Sequence, residues 1–139
     1  VITQIIQGFT QSIGEAVTAV KDLDDAMIDY QKVSDLSGDA LDAYTEKLGE
    51  LGETVARTRT EMVEASTEFK KSGYSDEDSA QLAQIASLYQ NVADSQLSAG
   101  DASSFVISQM KAFNITADDA ITIIDRVNEV DVLAFLIEI

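Results

Sequence analysis

The sequence predicts an all-α fold: long heptad-patterned helices followed by a run of shorter capped helices in hairpin or bundle packing. Three observations carry this expectation. None of the 139 residues is proline, the residue that breaks helix interiors. Apolar residues recur at alternating steps of three and four over two long stretches, the spacing that lines one face of a helix. Three times in the second half, a hydroxyl residue is followed three positions later by Asp just before an apolar-periodic stretch, which is how helices begin.

The first stretch spans residues 1–34 and reads as one long coiled-coil-like helix. Ile6, Ile13, Val20 and Met27 take the a positions of a heptad, and Ile2, Phe9, Ala16, Leu23 and Tyr30 the d positions. The g positions hold Ile5, Ser12, Ala19 and Ala26. They carry no charge, so the stripe is wider than a two-stranded seam and suits several neighbours. Packing inside the chain and self-association through residues 2–30 both stay open. At 1.5 Å per residue such a helix is roughly 50 Å long.

Ser34-Asp35-Leu36-Ser37-Gly38 interrupts the pattern with turn-forming residues. Residues 35–73 then form a second helical segment, with Leu41, Tyr44, Leu48, Leu51, Val55, Thr58, Met62, Ala65 and Phe69 on its stripe. Gly49 and Gly52 lie inside it, and each costs about 1 kcal/mol relative to Ala in a helix. Thr58 and Glu61 have the spacing of a capping box. A break is expected near 49–58. Lys70 and Lys71 face the negative end of the helix dipole, and Gly73 suits a left-handed cap.

Residues 74–130 read as three shorter helices. Their start signals are Ser75 with Asp78, Ser98 with Asp101, and Thr116 with Asp119. Leu82, Ile85, Ala86, Tyr89, Val92 and Ala93 line the first. Ala102, Phe105, Val106, Met110 and Phe113 line the second, and Ala120, Ile121, Ile124, Val127 and Val130 the third. Asn114 suits a left-handed cap after the second. The caps are unevenly spaced, so this is no strict repeat. Residues 131–139 are mostly apolar and form an uncertain end.

Composition narrows the function. The chain has no Cys and no His, which removes disulfides, thiolate chemistry, histidine bases and the usual zinc sites. The net charge is −16, from 9 basic and 25 acidic residues. Such a surface repels nucleic acid and anionic lipid, so no direct nucleic-acid binding is expected. No apolar run reaches the roughly 20 residues that span a membrane. The sequence opens on Val1 with no signal-peptide pattern and reads as a piece of a longer protein.

Specific chemistries find little support. Asp35, Ser37, Asp39 and Glu46 have calcium-loop spacing, but Ala40 stands where that loop needs Gly. Asp76, Glu77 and Asp78 sit at a helix start, where the dipole favours acids anyway. Asp94-Ser95-Gln96-Leu97 has an extra Gln compared with the Asp-Ser-Leu of acyl carrier proteins. No glycine-rich loop precedes a helix with a Lys, and no pair of carboxylates stands out for glycoside hydrolysis. The expectation is a non-enzyme with no catalytic, cofactor-binding or metal-binding residues.

One resemblance goes further. Phe69 to Ala83, Asn91 to Ala102, Lys111 to Ala120 and Ile124 to Val130, in that order, resemble the core region of phage tail tape measure proteins. The resemblance covers roughly residues 35–130 and rests on the ordered set of helix ends and caps. The apolar Val132 to Ile139 departs from it. The resemblance implies a structural protein of the virion tail, made in the bacterial cytoplasm, that sets tail length while the tube assembles around it. It implies tail-tube protein, tail assembly chaperones and tail-tip proteins as partners. The alternative is a non-enzymatic helical-bundle adaptor or effector that binds a partner helix.

Overall fold

The computed structural model describes residues 2–93, 96–122 and 125, with side chains from Val17 onward. Every regular element among them is a helix. α1 spans Ile2–Gln31, α2 Gly38–Thr54, α3 Arg59–Lys71, α4 Asp76–Val92 and α5 Ala99–Ala112. A sixth begins at 117. The apolar end 131–139 lies outside the described residues, as do Asp94 and Ser95.

Local chemistry accounts for most helix ends. The Thr58 hydroxyl accepts from the Glu61 amide, and the Glu61 carboxylate accepts from the Thr58 amide, a reciprocal capping box. Ser75 and Ser98 cap α4 and α5 through the amides of Asp78 and Asp101. Thr116 and Asp119 repeat the reciprocal arrangement at the sixth helix. α3 closes at Gly73, whose φ of +100° is open to glycine at little cost. Asn114, at φ +53°, follows α5. Ser37 stands at the start of α2 but its side chain makes no capping bond.

The second stripe is one core face built from two helices. Leu41, Tyr44, Leu48, Val55, Met62, Ala65 and Phe69 are all buried, yet the chain turns between Thr54 and Arg59. Ala56 takes a left-handed conformation at φ +56°. Thr58, on the stripe by spacing, is exposed because it serves as the cap. Gly52 permits the turn: a Cβ there would lie 2.6 Å from the Arg57 carbonyl oxygen and 2.9 Å from Met62 Cγ. Asn91 on α4 holds the same turn from outside. It donates to the Val55 carbonyl at 2.7 Å and accepts two bonds from the Arg57 guanidinium.

α3 touches α1, α2, α4 and α5. Its buried residues are Met62, Val63, Ala65, Ser66, Thr67 and Phe69. The neighbours meet it with small residues: Ser79, Ala80, Ala83, Ala86 and Ser87 on α4, and Ala99, Ala102 and Ser103 on α5. Small side chains let helix axes approach closely. The buried hydroxyls are mostly satisfied within their own helices. Thr45, Ser66, Thr67, Ser87 and Ser103 donate to carbonyls three or four residues back, a common solution for mid-helix Ser and Thr. Ser79 Oγ is buried without a partner among the described residues.

α1 behaves differently. Of its described side chains, Ala26 and Tyr30 are buried, with Leu23 and Met27 packed beside them. Val17, Val20 and Ile28 are exposed. The packed face therefore takes in the g-position Ala26 and leaves the a-position Val20 in solvent. Among the described side chains, the packing on the bundle lies toward the C-terminal end of α1. The seam residues Ile2, Ile6, Phe9, Ile13 and Ala16 have side chains outside the described set.

Two stability predictions follow from this packing. Gly52→Ala should lower unfolding stability by about 2 kcal/mol, because the methyl meets backbone that cannot yield. A urea unfolding midpoint measures it, and an unchanged midpoint refutes the close approach. Ser79→Ala should raise stability by about 1 kcal/mol, since it removes a buried hydroxyl with no partner. A lower midpoint would show that the hydroxyl is bonded.

Candidate functional site

The structure offers three features that a function can use: a polar clamp at the end of α1, an acidic groove beside it, and an apolar cleft on the far side of the bundle.

The clamp centres on Asp76, the first residue of α4. Its Oδ1 accepts hydrogen bonds from the Tyr30 hydroxyl and from Ser34 Oγ, the latter at 2.6 Å. Its Oδ2 lies 3.5 Å from Lys70 Nζ. Its backbone carbonyl accepts from the Tyr44 hydroxyl at 2.7 Å. The Tyr30 and Tyr44 rings stack at 4.9 Å and 24°. Four segments thus converge on one residue: the end of α1, the link to α2, α2 itself and the end of α3. Burial pushes the Asp76 carboxyl up, but the Ser34 and Tyr30 hydroxyls and the Lys70 ammonium outweigh it and hold it below its ordinary 3.8. Burial, reinforced by Asp76, pushes the Tyr30 phenol far above its usual range. Burial pushes Tyr44 up to about 12. Both phenols therefore stay protonated and act as donors, not as acid–base groups. Spacing marks Asp76 only as a helix-start acid. Its four partners come from 32 to 46 residues upstream and, for Lys70, from the preceding helix.

The acidic groove runs between α1 and α3 and encloses about 300 Å³. Asp22, Asp25 and Asp29 line it from α1, and Glu64 and Glu68 from α3, with Ala26, Thr60, Thr67 and Lys71. Lys32 engages Asp29 at 2.7 Å, and Lys71 engages Glu68 at 3.1 Å. No cation lies within salt-bridge distance of Glu64 among the described residues. Burial raises the Glu64 carboxyl above its ordinary 4.5, and the charges of Glu61, Asp22 and Asp29 add to the effect.

The apolar cleft lies between α4, α5 and the start of the sixth helix and encloses about 260 Å³. Ile85, Tyr89, Phe105, Val106, Met110 and Ile115 line it. Tyr89 and Phe105 stack at 4.5 Å and 10°, and Phe105 is 43% exposed. An apolar wall with one open aromatic edge suits a side chain of another protein.

No constellation for bond-making chemistry appears in these features. Among the described residues, no group of three or more carboxylates is placed to hold a metal ion. Of the calcium-spaced residues, Ser37 is the first residue before α2 and Asp39 lies in its first turn. Among the described residues, no helix is long and apolar enough to cross a membrane. No family model matches the chain, and no solved structure matches its fold.

Asp76→Asn tests the clamp. It should cost about 2 kcal/mol, the scale of losing hydrogen bonds to a charged acceptor. The sign with pH follows from the lowered Asp76 value. Stability from this group is present above its ordinary 3.8 and is lost as the pH falls through the lower folded value. The gap between native and variant unfolding midpoints should therefore be full at neutral pH and should shrink as the pH falls below 3.8. A pH-independent gap would show that the carboxylate charge plays no part.

Proposed function

We propose that this chain is a structural, non-catalytic segment of a phage tail tape measure protein, one that helps set tail length and supports assembly of the tail tube. The observation that carries the reading is α1. It runs for 30 residues, about 45 Å at the α-helical rise, while its described packing on the bundle begins only at Leu23. A helix of that length is more than a bundle of this size needs for its own core. It suits a spacer, whose length scales with residue number at a fixed rise.

Other observations support the reading. The ordered resemblance over residues 35–130 points the same way. The continuous helical character of the described chain fits an extended, proline-free protein. The −16 charge fits a protein that shares a channel with DNA without binding it. On this reading the partners are the tail-tube protein, the tail assembly chaperones and the tail-tip proteins. The place of action is the virion tail, with the host cytoplasm during assembly. Val17 and Val20 leave an apolar edge on α1 through which long helices self-associate.

A second reading is favoured by the cleft around Tyr89 and Phe105: a helical-bundle adaptor that takes the apolar face of a partner helix.

An in-frame deletion separates them. Removing about five heptads from the helical part of the encoding gene should shorten tails by roughly 50 Å, as the rise per residue requires. Electron microscopy of the particles measures it. Tails of unchanged length would overturn the ruler role, and a gene with no tail genes beside it would favour the adaptor.

A further inference from the structure

We propose that α1 is a dockable arm whose hold on the bundle is set by charge: repulsion across the α1–α3 groove loosens it near neutral pH, and neutralising the groove tightens it for as long as Asp76 stays ionised. This inference rests on the packing and the charges of the bundle and does not depend on the reading above.

Among its described side chains, those that attach α1 to the bundle lie toward its C-terminal end. Its described apolar contacts come from Leu23, Ala26, Met27 and Tyr30. Its polar attachment is the clamp, where Tyr30 and Ser34 donate to Asp76. Beside these contacts, carboxylates face carboxylates. Asp22, Asp25 and Asp29 on α1 oppose Glu64 and Glu68 on α3. The cations nearby are engaged elsewhere than at Glu64: Lys32 by Asp29, Lys71 by Glu68, and Arg57 by Glu61 at 3.8 Å. Lys32 and, more weakly, Lys71 hold the Asp29 carboxyl below its ordinary 3.8, so the repulsion that remains is centred on Glu64. From α4, α5 and the link before α5, the groups near Glu64 are Gln90, Gln96 and Ser98, which carry no charge. Glu64 is left among like charges. Local opening of a single helix is cheap compared with global unfolding, so unfavourable pairs at its docked face bear directly on how often α1 lifts.

The two ionisable centres oppose each other. As the pH falls from neutral, Glu64 binds its proton early, because its folded value is raised. The penalty it imposes is gone once the pH reaches its ordinary 4.5. Asp76 keeps its charge to below its ordinary 3.8, held by Ser34, Tyr30 and Lys70; Tyr44 donates to its backbone carbonyl, and Glu77 and Asp78 are its own-helix neighbours. Docking is therefore tightest between these two events. Below them the clamp loses its acceptor charge and α1 loosens again.

Hydrogen exchange on the full chain tests this, with rates corrected for their intrinsic pH dependence. Glu64→Gln at neutral pH should slow exchange in residues 17–31 about threefold, the scale of removing two or three like-charge pairs, and leave residues 62–69 unchanged. Glu50→Gln removes the same charge from an exposed position on α2 and should change neither segment. In the native chain, protection of residues 17–31 should rise as the pH drops toward 4.5 and fall below 3.8. Equal effects of the two variants would overturn the proposal and assign the response to net charge. So would no effect of Glu64→Gln, a uniform gain across all helices, or a protection profile without a maximum.

Discussion

The burial of α3 is the constraint on which the rest of this structure depends. It is only 13 residues long, and the four other complete helices all lean on it. A short helix can be surrounded in this way only if its neighbours come close. Ala and Ser at the contact positions of α4 and α5 make that possible. Close approach then raises the requirement for hydrogen bonding, because a hydroxyl sealed in such a contact has no water to turn to. Most of these hydroxyls return their proton to their own helix. The arrangement is thus self-consistent: small polar residues shorten the interhelical distance, and helix carbonyls absorb their polarity.

The core divides into two clusters that share α3. One gathers Tyr30, Leu41, Tyr44, Leu48, Val55 and Met62, and the other gathers Phe69, Leu82, Ile107 and Met110. The first cluster fastens α1 and α2 and takes in Ala80, Ala83 and Ala99 of α4 and α5, and the second fastens the rest of α4 and α5 and the start of the sixth helix. Asp76 sits beside the first as its polar lock. The carboxylate in that position exchanges solvent for three partners, Tyr30, Ser34 and Lys70, while Tyr44 takes the backbone carbonyl. Geometry at this one residue therefore ties the docking of α1 to the folding of everything after it. In the proposal above, the acids across the groove work against the same docking.

A structural role suits such a balance. The bundle holds its shape through packing, and its surface carries acids that keep it apart from other polyanions. What it presents for contact is apolar and local: the edge of α1 at Val17 and Val20, and the cleft around Tyr89 and Phe105. These surfaces suit other helices and side chains, as the proposed role in spacing and assembly requires.

Much of this was legible from residue order. Helix starts are local events, and Thr58, Ser75, Ser98 and Thr116 do at their helices what their spacing implies. The all-helical class follows from the same periodicity, and nearly every residue on the second stripe is in the core. The first-turn acids Asp78, Asp101 and Asp119 were readable because the caps that their amides bond are three residues away. The candidate site was not readable in this way. Asp76 looks like its neighbours Glu77 and Asp78 until Tyr30, Ser34 and Tyr44 are folded onto it from more than 30 residues upstream. Ser66, Ser79, Ser87 and Ser103 look like surface residues until helices close over them. The heptad of α1 could not say which of its faces would pack, and the bundle took Ala26 while leaving Val20 outside. Periodicity and caps depend on neighbours within a turn or two, so the chain alone decides them. Pairing across helices depends on which faces meet, and only the tertiary fold decides that.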